Sequence, residues 1–196
     1  MAARAGMIGL ISELRGYLND RDSSRWTDDE LQGVLDRNRQ SFRQVALAFV
    51  PRWENSTTVY KEYAIPRVGA LRLEGPESGE PAWRLYDSNG VSPEAATYAV
   101  DAGEGLITFT ADQEGVTYYL DYRLYDVYAA AADGWEDMMG QVSGKYSFTA
   151  DGATYTRNQW FMHCQAMARQ YREKAEGGQG TQIVNWERSD TNAVEY

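Results

Sequence analysis

The sequence contains only one cysteine, Cys164, and one histidine, His163. One cysteine cannot form an intramolecular disulfide, and two residues are too few for a zinc site built on cysteine and histidine. The two are neighbours on a predicted helix, where adjacent side chains point about 100° apart, so they cannot form a nucleophile–base pair with each other. Cys164 falls on the apolar side of that helix, which favours a packed thiol.

Long apolar runs and positive charge are also scarce. No stretch approaches the roughly 18 apolar residues of a membrane-spanning helix, and residues 1–9 lack the features of a secretory signal. Lysine and arginine number 19 against 29 aspartates and glutamates, a formal charge of −10. Without a membrane span or a secretory signal, we expect a protein that folds in a cytosol and has no membrane contact. Because phosphate binding needs clustered cations, we also expect that it does not bind nucleic acid tightly.

The N-terminal part of the chain shows helical periodicity. Apolar residues recur at spacings of three and four between Met7 and Leu18 and again from Leu31 to Leu35. The second segment begins with a capping box, Thr27-Asp28-Asp29-Glu30, and Phe42 could extend it. This pattern predicts an N-terminal helix pair over residues 1–43.

Helical periodicity returns in the last third of the chain. One apolar stripe runs from about Asp126 to Ser143, and a second follows another capping box, Thr156–Gln159, and ends at Gly177-Gly178. The pattern predicts a C-terminal helix pair over residues 125–176 that packs on the first pair.

The middle of the chain, residues 44–124, is typical of short strands. Segments rich in valine, threonine and tyrosine alternate with clusters of glycine, asparagine and aspartate, and the prolines fall between them. The predicted strands are Thr57–Ile65, Val68–Leu73, Ala82–Tyr86, Thr97–Val100, Leu106–Thr110 and Val116–Leu124. The predicted fold class is therefore α+β, a four-helix scaffold with an inserted antiparallel β-meander.

The final segment, residues 177–196, has no helical period but retains apolar side chains. We interpret it as an extended C-terminal arm that becomes ordered on a partner; the alternative is a frayed terminus. The apolar residues that would anchor the arm are Ile183, Val184, Trp186, Val194 and Tyr196.

Clustered carboxylates are the only candidates for chemistry. Asp133, Glu136 and Asp137 share helical spacings, and paired carboxylates can hydrolyse glycosides or bind a divalent cation. We favour the alternative, a solvated helix face. The acidic turns at 101–104 and 112–114 do not match EF-hand spacing. We therefore assign no catalytic, cofactor-binding or metal-binding residue and expect that the protein is not an enzyme.

Six tryptophans and fourteen tyrosines are many for this length. Aromatic rings stack on bases or sugars in binding proteins, but they also fill small sheets and subunit interfaces. Since lysine and arginine are not interleaved with them, we favour packing and interface contacts.

Several passages, taken in order, carry a family resemblance. They are residues 10–18, Trp26–Leu31, Leu35–Arg37, Asp101–Phe109, Tyr125–Asp133, Phe148–Gly152 and Tyr171-Arg172. Together they resemble the head-to-tail connector (adaptor) proteins of long-tailed, siphovirus-like phages. The resemblance covers about residues 7–174 and depends on the order of structural motifs, none of which is catalytic.

The resemblance implies a structural protein of the phage neck. Its partners would be identical subunits, about twelve in a ring, the portal protein above and a stopper or tail-terminator protein below, with DNA passing through without sequence-specific binding. In such a ring we expect the C-terminal arm to contact the portal or a neighbouring subunit. We expect acidic loops to line the channel and repel DNA, with Asp101, Glu104, Asp112 and Glu114 as the candidate residues.

Three other functions stay open at this point. The first is a hydrolase that uses clustered carboxylates, the second a glycan- or small-ligand-binding β module, and the third another virion part such as a stopper or tail-completion protein. The helix pairs on either side of the meander favour the adaptor.

Overall fold

The computed structural model describes residues 2–54, 56–69, 71–143, 148–150, 153–155 and 157–178, and it describes side chains for 2–54, 56–69, 71–141 and 159–177. The helices are α1 (Ile8–Tyr17), α2 (Asp28–Arg37), α3 (Val127–Ser143) and α4 (Arg157–Gly178). The strands are β1 (Arg39–Ala46), β2 (Ala48–Glu54), β3 (Thr57–Ala64), β4 (Arg72–Leu73), β5 (Arg84–Asp87), β6 (Tyr98–Asp101), β7 (Leu106–Phe109), β8 (Tyr118–Tyr125), β9 (Phe148–Ala150) and β10 (Ala153–Tyr155). The predicted α+β class, with four helices and antiparallel sheets in the described residues, is confirmed.

The start of α2 is set by the predicted capping box. The Glu30 backbone N–H donates to Thr27 Oγ1 at 3.3 Å, and the Thr27 backbone N–H donates to Glu30 Oε2 at 2.8 Å. These bonds satisfy two backbone donors that the first turn of a helix leaves without partners. The second predicted capping box begins at Thr156, which lies outside the described residues.

The end of α2 differs from the prediction. The helix stops at Arg37, and β1 begins two residues later. The prediction that Phe42 extends the helix is wrong, because Phe42 lies in β1 and its ring stacks on that of Tyr122 with centroids 5.0 Å apart. Strand structure therefore begins before residue 44.

Helix α3 is the shared neighbour of the other three helices, an arrangement that differs from the predicted packing of one helix pair on another. Its small residues allow close approach: Ala130–Ala132 are fully buried, and a Cβ at Gly134 would lie 2.7 Å from a methyl of Leu18. The Trp135 indole N–H donates to the Tyr17 carbonyl at 3.2 Å. All four helices contribute to one apolar cluster.

The described strands form two four-stranded antiparallel sheets and a hairpin, so a single meander is not the arrangement observed. In sheet A, β8 pairs with β1, β4 and β5. In sheet B the strand order is β2-β3-β7-β6. The β9–β10 hairpin lies between α3 and α4, within the range 125–176 for which the sequence predicts only a helix pair. Only Leu47 separates β1 from β2, so the chain passes directly from an edge of sheet A to an edge of sheet B.

Strand β8 supplies the centre of the second apolar cluster. Its alternate residues Tyr118, Leu120, Tyr122 and Leu124 are buried, as the period-two pattern of a half-buried strand requires. The Tyr63 ring from sheet B lies edge-on to that of Tyr118, with centroids 5.4 Å apart. The two sheets therefore share one core.

Strand β8 also runs directly into the helices. Its last residue, Tyr125, belongs to the helical cluster. Asp126 follows at once, and its carboxylate accepts the Ala129 backbone N–H at 2.8 Å, which is the geometry of a helix N-cap. No linker separates the β structure from α3.

A partly buried ion network ties the N-terminus to sheet A. Arg4 Nε donates to Glu74 Oε1 at 2.7 Å, and the same guanidinium pairs with Asp36 at 2.8 Å. The Tyr125 hydroxyl donates to Glu74 Oε2 at 2.6 Å. Burial alone would raise the pKa of the Glu74 carboxyl, but the hydrogen bonds from Arg4 and Tyr125 outweigh it and lower that pKa.

Arg15 makes a similar connection between α1 and the segment before α2. Its guanidinium donates to the Asp20 carboxylate at 2.7 Å, the Trp26 carbonyl at 2.8 Å and the Asp28 carboxylate at 2.6 Å. Arg15 and Asp20 are buried. The polar break between the first two helices is therefore held by buried charge rather than by apolar contacts alone.

Candidate functional site

Cys164 and His163 are adjacent on α4, and one is buried while the other is exposed. Cys164 is fully buried in the helical cluster, and burial raises the pKa of its thiol. The exposed His163 has its ring edge-on to Trp135, with centroids 5.5 Å apart, and 5.4 Å from that of Trp160. In the described part of the chain, no three histidine, cysteine, aspartate or glutamate side chains are grouped so as to hold a metal.

The α3 carboxylates bind cations of neighbouring elements. Arg172 of α4 donates to Asp133 at 2.7 Å and to both carboxylate oxygens of Glu136 at 3.2 Å. Arg37 donates to Asp137 at 2.9 Å. The side chain of Asp133 is only 21% exposed, so the interpretation of this group as a solvated face is wrong for Asp133. These carboxylates hold α3 to its neighbours.

The two predicted acidic loops are capped turns. The Asp101 carboxylate accepts the backbone N–H groups of Gly103 and Glu104 at 2.9 and 3.0 Å. In the second loop, the Asp112 carboxylate accepts the backbone N–H of Tyr60 at 2.9 Å and that of Glu114 at 3.0 Å. The aspartates therefore shape their turns.

The two acidic turns lie at opposite ends of one strand. The turn that contains Glu104 precedes β7, and the turn that contains Glu114 follows it. A four-residue strand is about 14 Å long, so the turns form two separate acidic sites. Glu104 and Glu114 are exposed, and within the described residues their carboxylates have no ion-pair partner.

Charge is unevenly distributed across the β structure. Residues 39–67 contain five basic and two acidic side chains, a net charge of +3, whereas residues 74–121 contain one basic and ten acidic side chains, a net charge of −9. Strands β1 and β2 belong to the basic segment and β6 and β7 to the acidic one. The two edge strands of sheet B, β2 and β6, therefore differ in the charge around them.

The β2–β3 hairpin extends beyond the rest of sheet B. Strand β7 pairs only with residues Glu62–Ala64 of β3, so the outer part of the hairpin is a two-stranded ribbon. Trp53 lies on this ribbon opposite Thr58 and is 74% exposed, more than the other exposed large apolar side chains among the described residues. The exposed Phe49 lies on the same strand.

Sequence reasoning missed β1 and β2. Both strands are largely exposed on both faces, so they lack the alternation of apolar and polar residues that indicates a strand. The available signal was the turn pair Asn55-Ser56, which lies between Phe49-Val50 on one side and the predicted strand Thr57–Ile65 on the other.

A shallow cleft of about 460 Å³ lies where β1 and β5 flank β8. The lining residues are Arg43, Gln44, Arg84, Tyr86, Gly90 and Asp121. Asp121 accepts the Gln44 backbone N–H at 2.7 Å and the Tyr86 hydroxyl at 3.2 Å, while Arg84 pairs with Glu80 at 3.2 Å. Arg43 is exposed and has no ion-pair partner in the described ranges, so it is the cation in this cleft that can receive an external carboxylate.

The predicted anchors of the C-terminal arm, Ile183, Val184, Trp186, Val194 and Tyr196, lie outside the described residues. Their role stays a prediction. Among the helices of the described ranges, none has the length and apolar character needed to cross a bilayer.

Comparison with known proteins adds no relative. No protein-family model matches the chain, and no curated protein matches it significantly.

Proposed function

We propose that the protein is a head-to-tail connector that forms a ring beneath a phage portal and joins it to the stopper or tail-terminator protein. The observation that carries the proposal is the position of the motifs on which the resemblance depends. Tyr125–Asp133 spans the junction of β8 and α3, where the two apolar clusters meet, and Trp26–Leu31 forms the start of α2. These two motifs thus coincide with elements that join this fold together.

The polar residues of the helices support a structural role over hydrolysis. A glycosidase needs two carboxylates that face the sugar. The candidate carboxylates Asp133, Glu136 and Asp137 instead pair with Arg172 and Arg37. A hydrolase would have to break these contacts, which connect α3 to α4 and α2.

The charge distribution supports a passage for DNA. Of the four predicted channel residues, Asp112 and Glu114 line the channel in the proposed ring, whereas the turn with Asp101 and Glu104, at the opposite end of β7, lies at the contact between subunits. Negative charge on the channel wall repels phosphate, so the moving DNA is not held. The C-terminal arm, with Trp186 among its anchors, contacts the portal or a neighbouring subunit.

Native mass spectrometry of the purified protein, alone and mixed with a candidate portal protein, tests the proposal. We expect a species of about twelve copies, either free or on the portal. A chain truncated after Gly178, where α4 ends, should lose portal binding, whereas the full-length Met162→Ser variant should retain it. A protein that stays monomeric and binds no portal protein would contradict the proposal, and screens for glycan and metal binding would then test the alternatives.

A further inference from the structure

We infer that copies of this chain associate head to tail. The edge strands β1 and β2 of one copy (the β1–β2 edge), with Trp53 as the anchor, dock on the acidic side of the next copy's sheet B, the side that ends in edge strand β6. The inference depends on the proposed function for the place of the assembly in a virion. The contact itself is argued from the exposure, charge and topology of the described residues.

The first observation is the exposure of Trp53. A tryptophan buries 150–250 Å² when it is covered, and tryptophan is enriched among the residues that dominate binding energy at interfaces. Here the ring is 74% exposed on a two-stranded ribbon, and isolated ribbons of this kind are marginally stable in water. A partner that covers Trp53 would stabilise the ribbon as well as the contact.

The second observation is the neutrality of the ribbon itself. Arg52 pairs with Glu62 at 2.9 Å, and Lys61 pairs with Glu54 at 3.1 Å. The ribbon can therefore approach a strongly acidic surface without repulsion. On the adjoining β1, Arg43 adds a cation that is not neutralised within the described residues.

The third observation identifies the partner surface. Between residues 85 and 122 the chain has no lysine or arginine, and the β6 side of sheet B carries Glu94, Asp101 and Glu104, all exposed. A second copy of this chain therefore supplies an acidic surface that complements the net charge of +3 on residues 39–67, which include β1 and β2. Complementary charge of this kind favours encounter and fixes orientation.

Topology makes the contact head to tail. In the described residues, β2 and β6 are the two edge strands of sheet B, and each has a partner on one side only. A copy that uses one edge still offers the other, so association continues until the ring closes. The register shift at Pro51, between Val50 and Arg52, interrupts the β2 edge and protects it from extended strand pairing. Docking therefore depends on side chains.

Sedimentation velocity of the full-length protein at low ionic strength tests this contact. Wild-type protein should self-associate as its concentration rises. Trp53→Ser should weaken association about thirtyfold or more, because the loss of a central interface anchor costs about 2 kcal/mol or more. Met162→Ser is the matched control, since Met162 is an apolar side chain of α4 that is 61% exposed, and it should associate as wild type does.

A charge exchange tests the orientation. Arg43→Glu and the double variant Glu94→Lys/Glu104→Lys should each associate more weakly than wild type when alone. An equimolar mixture of the two variants should regain assembly beyond the dimer. The β1–β2 edge of the Arg43→Glu variant then meets the β6 side of the Glu94→Lys/Glu104→Lys variant, and the two surfaces again carry opposite charge. Recovery of dimers only would show a self-complementary contact and overturn the head-to-tail arrangement.

Two further results would overturn the inference: wild-type protein that stays monomeric at its highest soluble concentration, or Trp53→Ser protein that associates as wild type does. Its failure is distinguishable from failure of the connector proposal. Association that depends on Trp53, with no portal binding, would refute the connector and leave this contact standing. Portal binding by rings that do not need Trp53 would refute this contact and leave the connector proposal standing.

Discussion

Replacement of Arg4 by methionine tests the ion network that joins the N-terminus to sheet A. Methionine keeps most of the apolar stem of arginine but removes the charge. Removal of one partner from a buried ion pair costs about 3–5 kcal/mol. Arg4 is 26% exposed and Arg123 stays 3.7 Å from Glu74, so we expect a loss of about 2–4 kcal/mol in the free energy of unfolding at pH 7.

The pH dependence of this loss identifies its cause. In the wild type the pKa of Glu74 is lowered in the folded state, so its contribution to stability is present above the unfolded value, near 4.3, and is lost as pH falls through the folded value. Burial opposes ionisation of Glu74, and the hydrogen bond from Arg4 is the largest influence that lowers its pKa. Without Arg4 the buried carboxylate is less well compensated, and this cost is greatest at neutral pH, where the group is ionised. The deficit of the variant should therefore be largest at pH 7 and shrink toward pH 4.

Urea unfolding followed by tryptophan fluorescence at pH 7, 5.5 and 4 measures both effects. The control is Arg169→Met, which removes an exposed pair with Glu173 on α4 and should cost less than about 0.5 kcal/mol. A deficit for Arg4→Met below about 1 kcal/mol at pH 7, or one that does not change with pH, would refute the reasoning.

Three other changes test the helices. Thr27→Ala removes the capping box of α2 and should cost about 1 kcal/mol in urea unfolding; an unchanged midpoint would count against the cap. Gly33→Ala should stabilise α2 by about 0.5–1 kcal/mol, because no atom lies within 4 Å of the new Cβ. Gly134→Ala should destabilise the protein by about 1 kcal/mol, because the new methyl meets buried Leu18. Equal effects of the two substitutions on the free energy of unfolding would contradict the packing. Cys164 should react with a thiol reagent only in urea, so rapid labelling of folded protein would contradict its burial.

The helices could be predicted from local pattern because each buries one stripe. Leu10, Ile11 and Leu14 are buried on α1, and the capping box marks the start of α2. Strand β8 was also predictable, since it buries alternate residues. In each case burial on one side leaves a period in the sequence.

The two-sheet topology could not be predicted in this way. Strand β1 pairs with β8, and Arg39 lies opposite Tyr125. These partners are far apart in the sequence, so no local pattern of residues indicates that they pair. Strand β2 buries neither face and leaves no alternation. A chain that changes sheet at Leu47 therefore reads as irregular structure until the partners are known.

The candidate sites, too, were predictable only where they depend on local sequence. The sequence predicts acidic turns at 101–104 and 112–114. In the structure Asp101 is the last residue of β6 and caps the turn that follows it, and Asp112 caps the second turn. It does not show that Arg172 neutralises Asp133 and Glu136, because these residues are 36 or more positions apart. Trp53 stands out only when its exposure is known.

Strand β8 has a mechanical consequence. It is hydrogen-bonded to three strands, its alternate side chains fill the β core, and it continues without a hinge into α3, the helix that contacts all the others. A force applied to the β2–β3 hairpin would reach β8 through the ring contact of Tyr63 with Tyr118. It would pass into α3 across Asp126, the single residue between the two elements, so a displacement of the hairpin would be transmitted to the helices.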